Sequence, residues 1–292
     1  MNAFVIIHFG NIIKYLELEL YFIIMLQKNT INDIIYMYSK NDTPDSFVNA
    51  IEKINVKTIS YDDNNITYNI KNFKSTYVSF NTLRTCNFIF AYTLTKYDKI
   101  CILESDMVVM ENIDDIFQLK IPSILYYNKD IKKNNYNYLI NINKDRMIDI
   151  CNNHSSFNGG VLLFKPSIAI YNKFINNIKL IIEKECKYPN ETLFTYTLNK
   201  IYNLPIKYNY SHYYLDKQSL YGKIIICHFN NTTYKPIDII KDNYLEKEKK
   251  DKKKIIIFFK KNIYDKYNEL INNILNFISV NHLEIIKIKN KK

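Results

Sequence analysis

The sequence predicts an α/β fold in which a mixed, mostly parallel central sheet is flanked by helices. Short apolar runs of strand length alternate with segments whose apolar residues recur at helical spacing through residues 3–60. This alternation is typical of a parallel sheet that has helices on both faces. The run at residues 99–109 is almost wholly apolar, as expected of a parallel strand that is buried on both faces. A chain of 292 residues is long enough to bury the core that such a sheet needs.

The predicted elements follow one another closely along the chain. Strands are expected at residues 3–9, 33–38 and 56–60, with helices at residues 15–27 and 47–54 between them. The helices are indicated by apolar residues at helical spacing without Gly or Pro, and the strands by short apolar runs that end in polar residues. The later predicted elements are a helix at 82–95, strands at 121–127 and 160–164, a helix at 167–186 and a strand at 224–229.

The composition changes near the C-terminus. Residues 1–240 are expected to form one domain, and residues 241–292 a lysine-rich, partly helical appendage. The appendage opens with a charge run at 241–254, which is typical of a solvated segment, and has helical periodicity around 270–278.

The formal net charge of +11 does not by itself identify the class of binding partner. A basic chain suits an anionic ligand, a nucleic acid or an anionic membrane. A general richness in Ile, Asn, Lys and Tyr explains the charge equally well. No stacking platform or groove-reading motif accompanies the lysines, so nucleic acid is not an expected partner. Peripheral contact of the basic C-terminal tail with an anionic membrane remains an alternative.

The start of the chain and the cysteines predict a soluble, cytoplasmic protein. The N-terminus has no basic segment and no small-residue cleavage site, so no signal peptide is expected. The apolar stretch at 16–26 contains two glutamates and is too short for a transmembrane segment. The five cysteines are scattered without CxxC spacing, which favours free thiols in a reducing compartment.

Two carboxylates, Glu104 and Asp106, follow the most apolar strand. Side chains two apart on a strand point the same way, so both are expected to aim at one point. A divalent cation is the simplest compensation for two such charges, and hard oxygen ligands favour Mg²⁺ or Mn²⁺. On position alone, surface carboxylates beside a turn are an equally good interpretation.

Other candidate site residues lie downstream. Gly159 and Gly160 are two of only four glycines, and Asn158 before them can present an amide to a polyol, although an ordinary turn has the same pattern. His228 ends an apolar run and is either a metal ligand or a core residue. Lys235 can meet a phosphate, but lysines are abundant. Glu191 begins a predicted helix or faces an acceptor.

The order and spacing of these pieces resemble the glycogenin-like glycosyltransferases of family 8, which have the GT-A fold. The resemblance covers most of residues 3–238. The matching segments are the acidic strand and turn at 104–117, Phe-Asn-Gly-Gly-Val at 157–161, the Leu-Pro to Tyr-Asn segment at 204–209, His-Phe at 228–229 and Lys-Pro at 235–236.

The resemblance implies a retaining hexosyltransferase with a UDP-sugar donor, an unknown glycan or protein acceptor, and Mn²⁺, with Mg²⁺ as the alternative ion. Glu104, Asp106 and His228 would hold the metal. Catalysis would fall to Glu191 and Asn158. The residues expected to contact the donor are Tyr15, Arg84, Ser105, Asn158, Gly159 and Lys235.

The chain departs from the family pattern at four places. The segment from His228 to Lys235 is one residue longer. Glu104 stands where the family has the first aspartate. Arg84 lies one turn before the usual basic residue. Either Glu191 or Asn190 occupies the place of the family's acceptor-side acid. If Asn190 does, the alternative is a catalytically impaired nucleotide-sugar binding protein of the same fold.

Overall fold

The computed structural model describes residues 1–64, 84–126, 141–152, 157–183, 189–212, 223–230, 234–242 and 244–289. The strands are β1 Asn2–His8, β2 Asp33–Ser39, β3 Lys57–Tyr61, β4 Lys99–Leu103, β5 Met107–Val109, β6 Ser123–Tyr126, β7 Asn141–Asn143, β8 Phe157–Phe164, β9 Lys200–Asn203, β10 Tyr210–Ser211 and β11 Ile226–His228. The α-helices are α1 Ile13–Gln27, α2 Asp45–Glu52, α3 Lys144–Asn152, α4 Ile168–Glu183, α5 Pro189–Thr197, α6 Pro236–Lys241, α7 Lys250–Phe259 and α8 Asp265–Lys289.

Eight strands form the central sheet, in the order β3-β2-β1-β4-β8-β6-β9-β7. The half that contains β1 to β4 is parallel, as the alternating sequence pattern predicts. β8 enters between β4 and β6 and runs antiparallel to both, which makes the sheet mixed. A second sheet of three short strands has the order β10-β11-β5. The predicted α/β architecture is therefore confirmed.

The central sheet separates two apolar cores. Successive side chains of a strand point to opposite faces, and β1 shows this directly. Phe4 and Ile6 belong to the core that includes α1, whereas Ala3 and Val5 belong to the core on the other face. A strand that is buried on both faces must be apolar throughout, which explains the unbroken apolar runs in the sequence.

Several predicted boundaries differ from the observed ones. The run at 99–109 contains two strands, β4 and β5, which belong to different sheets. β8 begins at Phe157, so Asn158 and Gly159 lie within the strand rather than before it. The predicted helix at 82–95 is a 3₁₀-helix over Arg84–Thr93. The ends of predicted elements at 82–83, 127 and 184–186 lie outside the described residues.

Some elements have weak sequence signals and were not predicted. β7, β9 and β10 are two to four residues long, and α3 begins in a polar stretch. The predicted strand at 224–229 is shorter, since β11 covers Ile226–His228. Such short strands depend on partners that are distant in sequence, which local periodicity does not reveal.

The C-terminal helices pack on α1. The Tyr21 ring stacks on Tyr264 at 5.5 Å, and its hydroxyl donates a hydrogen bond of 2.7 Å to Asn268. Phe259 and Ile271 are fully buried in the same apolar core. The helical periodicity predicted around 270–278 is confirmed by α8, while the domain boundary after residue 240 stays a prediction. In the described part of the chain, no helix is both long enough and apolar enough to cross a membrane.

Candidate functional site

The acidic segment lies between the two sheets. Leu103 ends β4 and Met107 begins β5, so Glu104 and Asp106 connect them. The Glu104 N–H donates to the Gly160 carbonyl at 3.0 Å, and the Asp106 carbonyl accepts from the Phe229 N–H at 2.9 Å. These backbone contacts fix both carboxylates at the carboxyl end of β4, where ligands of open α/β sheets bind.

His228 completes a three-residue cluster with the two carboxylates. Antiparallel pairing of β11 with β5 sets His228 opposite Met107. The His228 Nε2 atom lies 3.1 Å from Glu104 Oε2 and 3.1 Å from Asp106 Oδ1. One potential ligand atom from each of the three residues lies within 4.8 Å of the others. The sequence-predicted metal residues are thus brought together.

Glu104, Asp106 and His228 could hold a metal ion and are called the metal triad. Asp106 Oδ1 and His228 Nε2 are buried and form an ion pair at 3.1 Å, yet neither has a partner in good hydrogen-bond geometry among the described residues. Buried polar atoms are nearly always paired, so two such atoms facing each other need an explanation. A cation between them would satisfy both atoms, because carboxylate oxygen and imidazole nitrogen are suitable ligands for divalent ions. Glu104, whose side chain is 48% exposed, leaves the triad open to solvent on one side.

Gly160 makes room for the histidine ring. A Cβ atom added at this position would lie 2.3 Å from His228 Cε1 and 2.8 Å from Met107 Cε. A glycine is therefore required by close approach rather than by backbone conformation. In the sequence, the second residue of the Gly-Gly pair lies at this contact.

A chain of amides orients the His228 ring. Asn209 Oδ1 lies 2.9 Å from His228 Nδ1, while the Asn209 amide nitrogen donates to Asn158 Oδ1 at 3.1 Å. Asn158 Oδ1 also accepts from the Gly160 N–H at 3.0 Å. Since the Asn209 nitrogen is used as a donor, its oxygen accepts from Nδ1–H, and Nε2 is directed at the carboxylates. A hydrogen bond to the other ring nitrogen is the usual support of a metal-binding histidine.

Electrostatics couple His228 to the carboxylates when no cation is bound. Burial alone would lower the pKa of His228, but Asp106 and then Glu104 outweigh it and raise the pKa to about 9. Burial alone would raise the pKa of Asp106, but the positive charges of His228 and Lys235 hold this pKa well below its usual range. The imidazole is then protonated at neutral pH, so a metal ion would have to displace that proton.

Lys235 binds the second carboxylate oxygen of Asp106. Its Nζ donates to Asp106 Oδ2 at 2.7 Å and to the Phe229 carbonyl at 2.8 Å. The Lys235 N–H is itself fixed by Asp238 Oδ2 at the start of α6. The ammonium group thus lies beside the metal triad, where it can also meet an anionic ligand.

Glu191 faces the site from the first turn of α5. A Cβ atom at Gly159 would lie 2.7 Å from Asn190 Nδ2 and 3.7 Å from Glu191 Oε1, so both side chains lie against β8. Within the described residues, Glu191 Oε2 is buried without a hydrogen-bond partner. Burial raises the pKa of Glu191 to about 8, and the charge of Glu104 adds to this.

A cavity of about 560 Å³ adjoins the acidic segment at the end of β1. Its lining includes Tyr15 and Ser105, together with residues 7–12. Arg84 also reaches the lining, but its guanidinium is bound to Asp42 and Asp63. The structure therefore brings three of the predicted donor-contact residues to one cavity, and it shows Arg84 engaged with protein carboxylates.

Some residues around the site were not predicted as functional. In the sequence Asn209 is only the last residue of a segment that matches the family, and its contact with His228 requires the β10–β11 pairing. His8 and Asp42 lie just after or near the ends of strands, which is the signal that could have found them.

Comparison with known proteins adds evidence on the fold. No sequence-family model and no curated protein matches the chain. Solved structures do match. The galactosyltransferase LgtC, in complex with donor and acceptor sugar analogs, superposes with a TM-score of 0.55 at 13% identity, covering 80% of this chain and 88% of LgtC.

Two further glycosyltransferases match similarly. The bifunctional enzyme WbbM gives a TM-score of 0.55 at 16% identity, covering 84% of this chain and 49% of WbbM. GlyE from Streptococcus pneumoniae TIGR4 gives 0.51 at 17% identity, covering 89% of this chain and 64% of GlyE. The chain has the GT-A fold. In this GT-A sheet the metal triad lies just after β4, and the cavity lies beside it at the end of β1.

Proposed function

We propose that this chain is a metal-dependent glycosyltransferase that moves a hexose from a UDP-sugar to a glycan or protein acceptor, with retention at the anomeric carbon. The proposal rests chiefly on the metal triad, whose buried Asp106 and His228 atoms lie 3.1 Å apart without good hydrogen-bond geometry, next to a large cavity in a GT-A fold. Mn²⁺ is the proposed ion and Mg²⁺ the alternative.

The cavity is the proposed site of the donor nucleoside. Its volume of about 560 Å³ lies within the range of small-molecule sites. Tyr15, 53% exposed, offers a ring face to the base. Ser105 lies between the two carboxylates in sequence, so a nucleotide that contacts it has its diphosphate near the metal triad.

Breaking the bond between sugar and phosphate leaves negative charge on UDP. A divalent cation held by Glu104, Asp106 and His228 would offset that charge. Lys235, whose ammonium already lies 2.7 Å from Asp106, is proposed to turn toward the diphosphate and stabilise the same charge.

The donor sugar is proposed to lie against Asn158 and Gly159 of β8. Glu191 lies on the other side of Gly159, and it is the preferred acceptor-side acid over Asn190 because its carboxyl group is close enough to interact with Glu104. With a pKa of about 8 in the free protein, Glu191 is protonated at neutral pH and can donate a hydrogen bond to a sugar hydroxyl.

The two parts of the chain have different proposed roles. All proposed site residues lie within residues 1–240, which we take as the catalytic domain. Residues 241–292 are proposed to brace α1, since Tyr21 contacts Tyr264 and Asn268.

The variant Asp106→Asn tests the function. Mn²⁺ binding is measured by electron paramagnetic resonance, and donor hydrolysis or transfer by mass spectrometry with a panel of UDP-sugars. Wild type should bind Mn²⁺ and turn over at least one donor, whereas Asp106→Asn should lose both and remain folded. The control is Asp114→Asn. Asp114 accepts hydrogen bonds from Thr30 and Asn32, and this variant should bind Mn²⁺ and turn over donors as wild type does. Tight binding of donors without any turnover would favour the catalytically impaired binding protein instead.

A further inference from the structure

A polar cluster lies at the wall of the cavity, and two of its members, His8 and Glu19, contribute to the lining. His8 ends β1, Glu19 lies in α1 and Tyr36 lies in β2, and their exposed fractions are 2%, 5% and 0%. Buried charged groups are rare unless they are paired, and these three residues are paired with one another. The metal triad and the catalytic proposal above do not use them.

Hydrogen bonding assigns hydrogens to both ring nitrogens of His8. Nδ1 lies 2.9 Å from Glu19 Oε1, and Nε2 lies 3.0 Å from the Gly10 carbonyl oxygen. The Tyr36 hydroxyl donates to the other Glu19 oxygen at 2.7 Å. A carbonyl and a carboxylate are both acceptors, so each ring nitrogen donates and the ring is an imidazolium that balances Glu19.

The N–H group of Gly10 is held by a hydrogen bond as well. Its N–H donates to Asp42 Oδ1 at 3.0 Å, and Asp42 is bound in turn by Arg84. The Arg84 guanidinium lies over the Phe9 ring at 4.5 Å from its centre. Gly10 has φ +92°, a conformation that other residues rarely adopt. The segment 9–11 is thus held from both sides, and it forms one wall of the cavity.

We propose that His8 is a positioning residue of the nucleotide site, which as an imidazolium holds the Gly10 carbonyl and thereby fixes the wall at residues 9–11. The identity of the ligand, the nucleoside part of UDP, rests on the proposed function. The hold on Gly10 does not, because it is a property of the free protein.

The groups around His8 determine how this contact depends on pH. Burial alone would lower the pKa of His8, but Glu19 foremost, then the Gly10 carbonyl and Asp42, raise it above its ordinary value. The remaining polar neighbours are Tyr36, whose ring stacks on His8 at 5.6 Å, Tyr61, whose hydroxyl donates to the His8 carbonyl, and Arg84 beyond Asp42.

Deprotonation of His8 should release Gly10. The Glu19 carboxylate is a stronger acceptor than a carbonyl, so the neutral ring keeps its Nδ1 hydrogen and gives up the one on Nε2. The Gly10 carbonyl oxygen then faces the lone pair of His8 Nε2 and loses its hydrogen bond. Because the pKa is raised, the stabilisation is fully present below the ordinary pKa of histidine and is lost as the pH rises through the raised value.

The test compares Glu19→Gln with the double variant His8→Phe/Glu19→Gln. In Glu19→Gln the glutamine amide can donate to Nδ1, so the neutral ring still donates from Nε2 to Gly10. The double variant removes that donor without leaving a buried carboxylate unpaired. By calorimetry with UDP and Mn²⁺ at pH 7, Glu19→Gln should bind within about twofold of wild type, and the double variant about tenfold more weakly. The donor KM should rise with kcat unchanged.

Two further measurements separate positioning from a general structural role. Nitrogen-15 spectra of the free wild type should show His8 protonated on both nitrogens at pH 7, and the Gly10 amide signal should shift in the double variant. The UDP affinity of wild type relative to that of Glu19→Gln should fall at alkaline pH, because titration of His228 affects both proteins alike.

An unprotonated Nε2, or equal UDP binding by the two variants, would overturn the role of His8. If wild type binds no UDP in the presence of Mn²⁺, the proposed function fails. The spectra of the free protein then still decide whether His8 holds Gly10.

Discussion

Asn209 accepts a hydrogen bond of 2.9 Å from His228 Nδ1, so the ring nitrogen that faces the two carboxylates is Nε2. Asn209 is fully buried, and its amide nitrogen is bound to Asn158. The amide therefore cannot rotate to present its nitrogen to the ring without losing that contact. The orientation of the His228 ring is thus set by a residue that is not one of the three candidate ligands.

Replacing Asn209 by alanine should weaken metal binding without removing a ligand. Loss of such an outer contact typically lowers metal affinity about 10- to 100-fold. Mn²⁺ titration followed by electron paramagnetic resonance measures the change. Asn203→Ala is the matched control, because Asn203 is equally buried and accepts from the Tyr126 N–H, away from the triad. Equal Mn²⁺ affinities in the two variants would contradict the role of Asn209.

Replacing Lys235 by methionine should affect metal and nucleotide in opposite directions. In the free protein the ammonium group competes with a cation for Asp106. Its removal should tighten Mn²⁺ binding about three- to tenfold in the absence of nucleotide, because one positive charge no longer lies beside the site. UDP binding in the presence of Mn²⁺ should weaken, since the diphosphate loses a partner.

Calorimetry with Mn²⁺ alone and then with UDP separates the two effects of Lys235→Met. Lys241→Met removes the same charge from a lysine that pairs with Glu17, and it controls for net charge. If Lys235→Met weakens both ligands, the ammonium group does not compete with the cation.

The two adjacent glycines should respond differently to alanine. At Gly160 the added Cβ meets the His228 ring at 2.3 Å, and the ring is held by Asn209 and cannot move freely. At Gly159 the nearest atom is the end of the Asn190 side chain, at 2.7 Å, which can rotate away. Gly160→Ala should therefore lower the free energy of unfolding by about 1 to 3 kcal/mol and abolish Mn²⁺ binding.

Gly159→Ala is the control for this prediction and should leave Mn²⁺ binding intact. Chemical denaturation and Mn²⁺ titration measure the two effects. Mn²⁺ affinity that is unchanged in Gly160→Ala would show that the His228 ring is free to shift.

The sequence predicts the parts of the site that lie on strongly apolar strands. Glu104, Asp106 and His228 each end or follow an apolar run, and the sheet brings such ends together. The run at 99–109 did not reveal that β4 and β5 belong to different sheets. That division depends on pairing with β8 and β11, whose partner residues lie more than fifty positions away.

Residues that act through long-range hydrogen bonds are harder to predict. Asn209 and His8 have no local pattern that separates them from the many other polar residues at strand ends. Their roles become visible only when the partners Asn158, Gly10 and Glu19 are placed beside them.

Glu191 should make the stability of the metal-free protein depend on pH. Its pKa is about 8 in the folded protein, against an ordinary value of 4.5, because burial disfavours the charged form. Between these values folded Glu191 holds more proton than unfolded Glu191, so its contribution to stability is fully present below pH 4.5 and is lost as the pH rises toward 8. Glutamine at this position removes the titrating group and therefore this dependence.

Glu191→Gln and wild type should thus diverge as the pH rises. Near pH 5 we expect similar free energies of unfolding, whereas at pH 9 the variant should be more stable by an amount on the order of 2 kcal/mol. Chemical denaturation in EDTA at a series of pH values measures the difference, with Glu52→Gln on the exposed surface as control. The comparison with Glu52→Gln cancels the other titrating groups, which both variants share. If the free energies of unfolding of Glu191→Gln and wild type differ by a constant amount across this range, Glu191 is ionised in the folded protein. The proposal that Glu191 donates a hydrogen bond to a sugar hydroxyl would then be wrong.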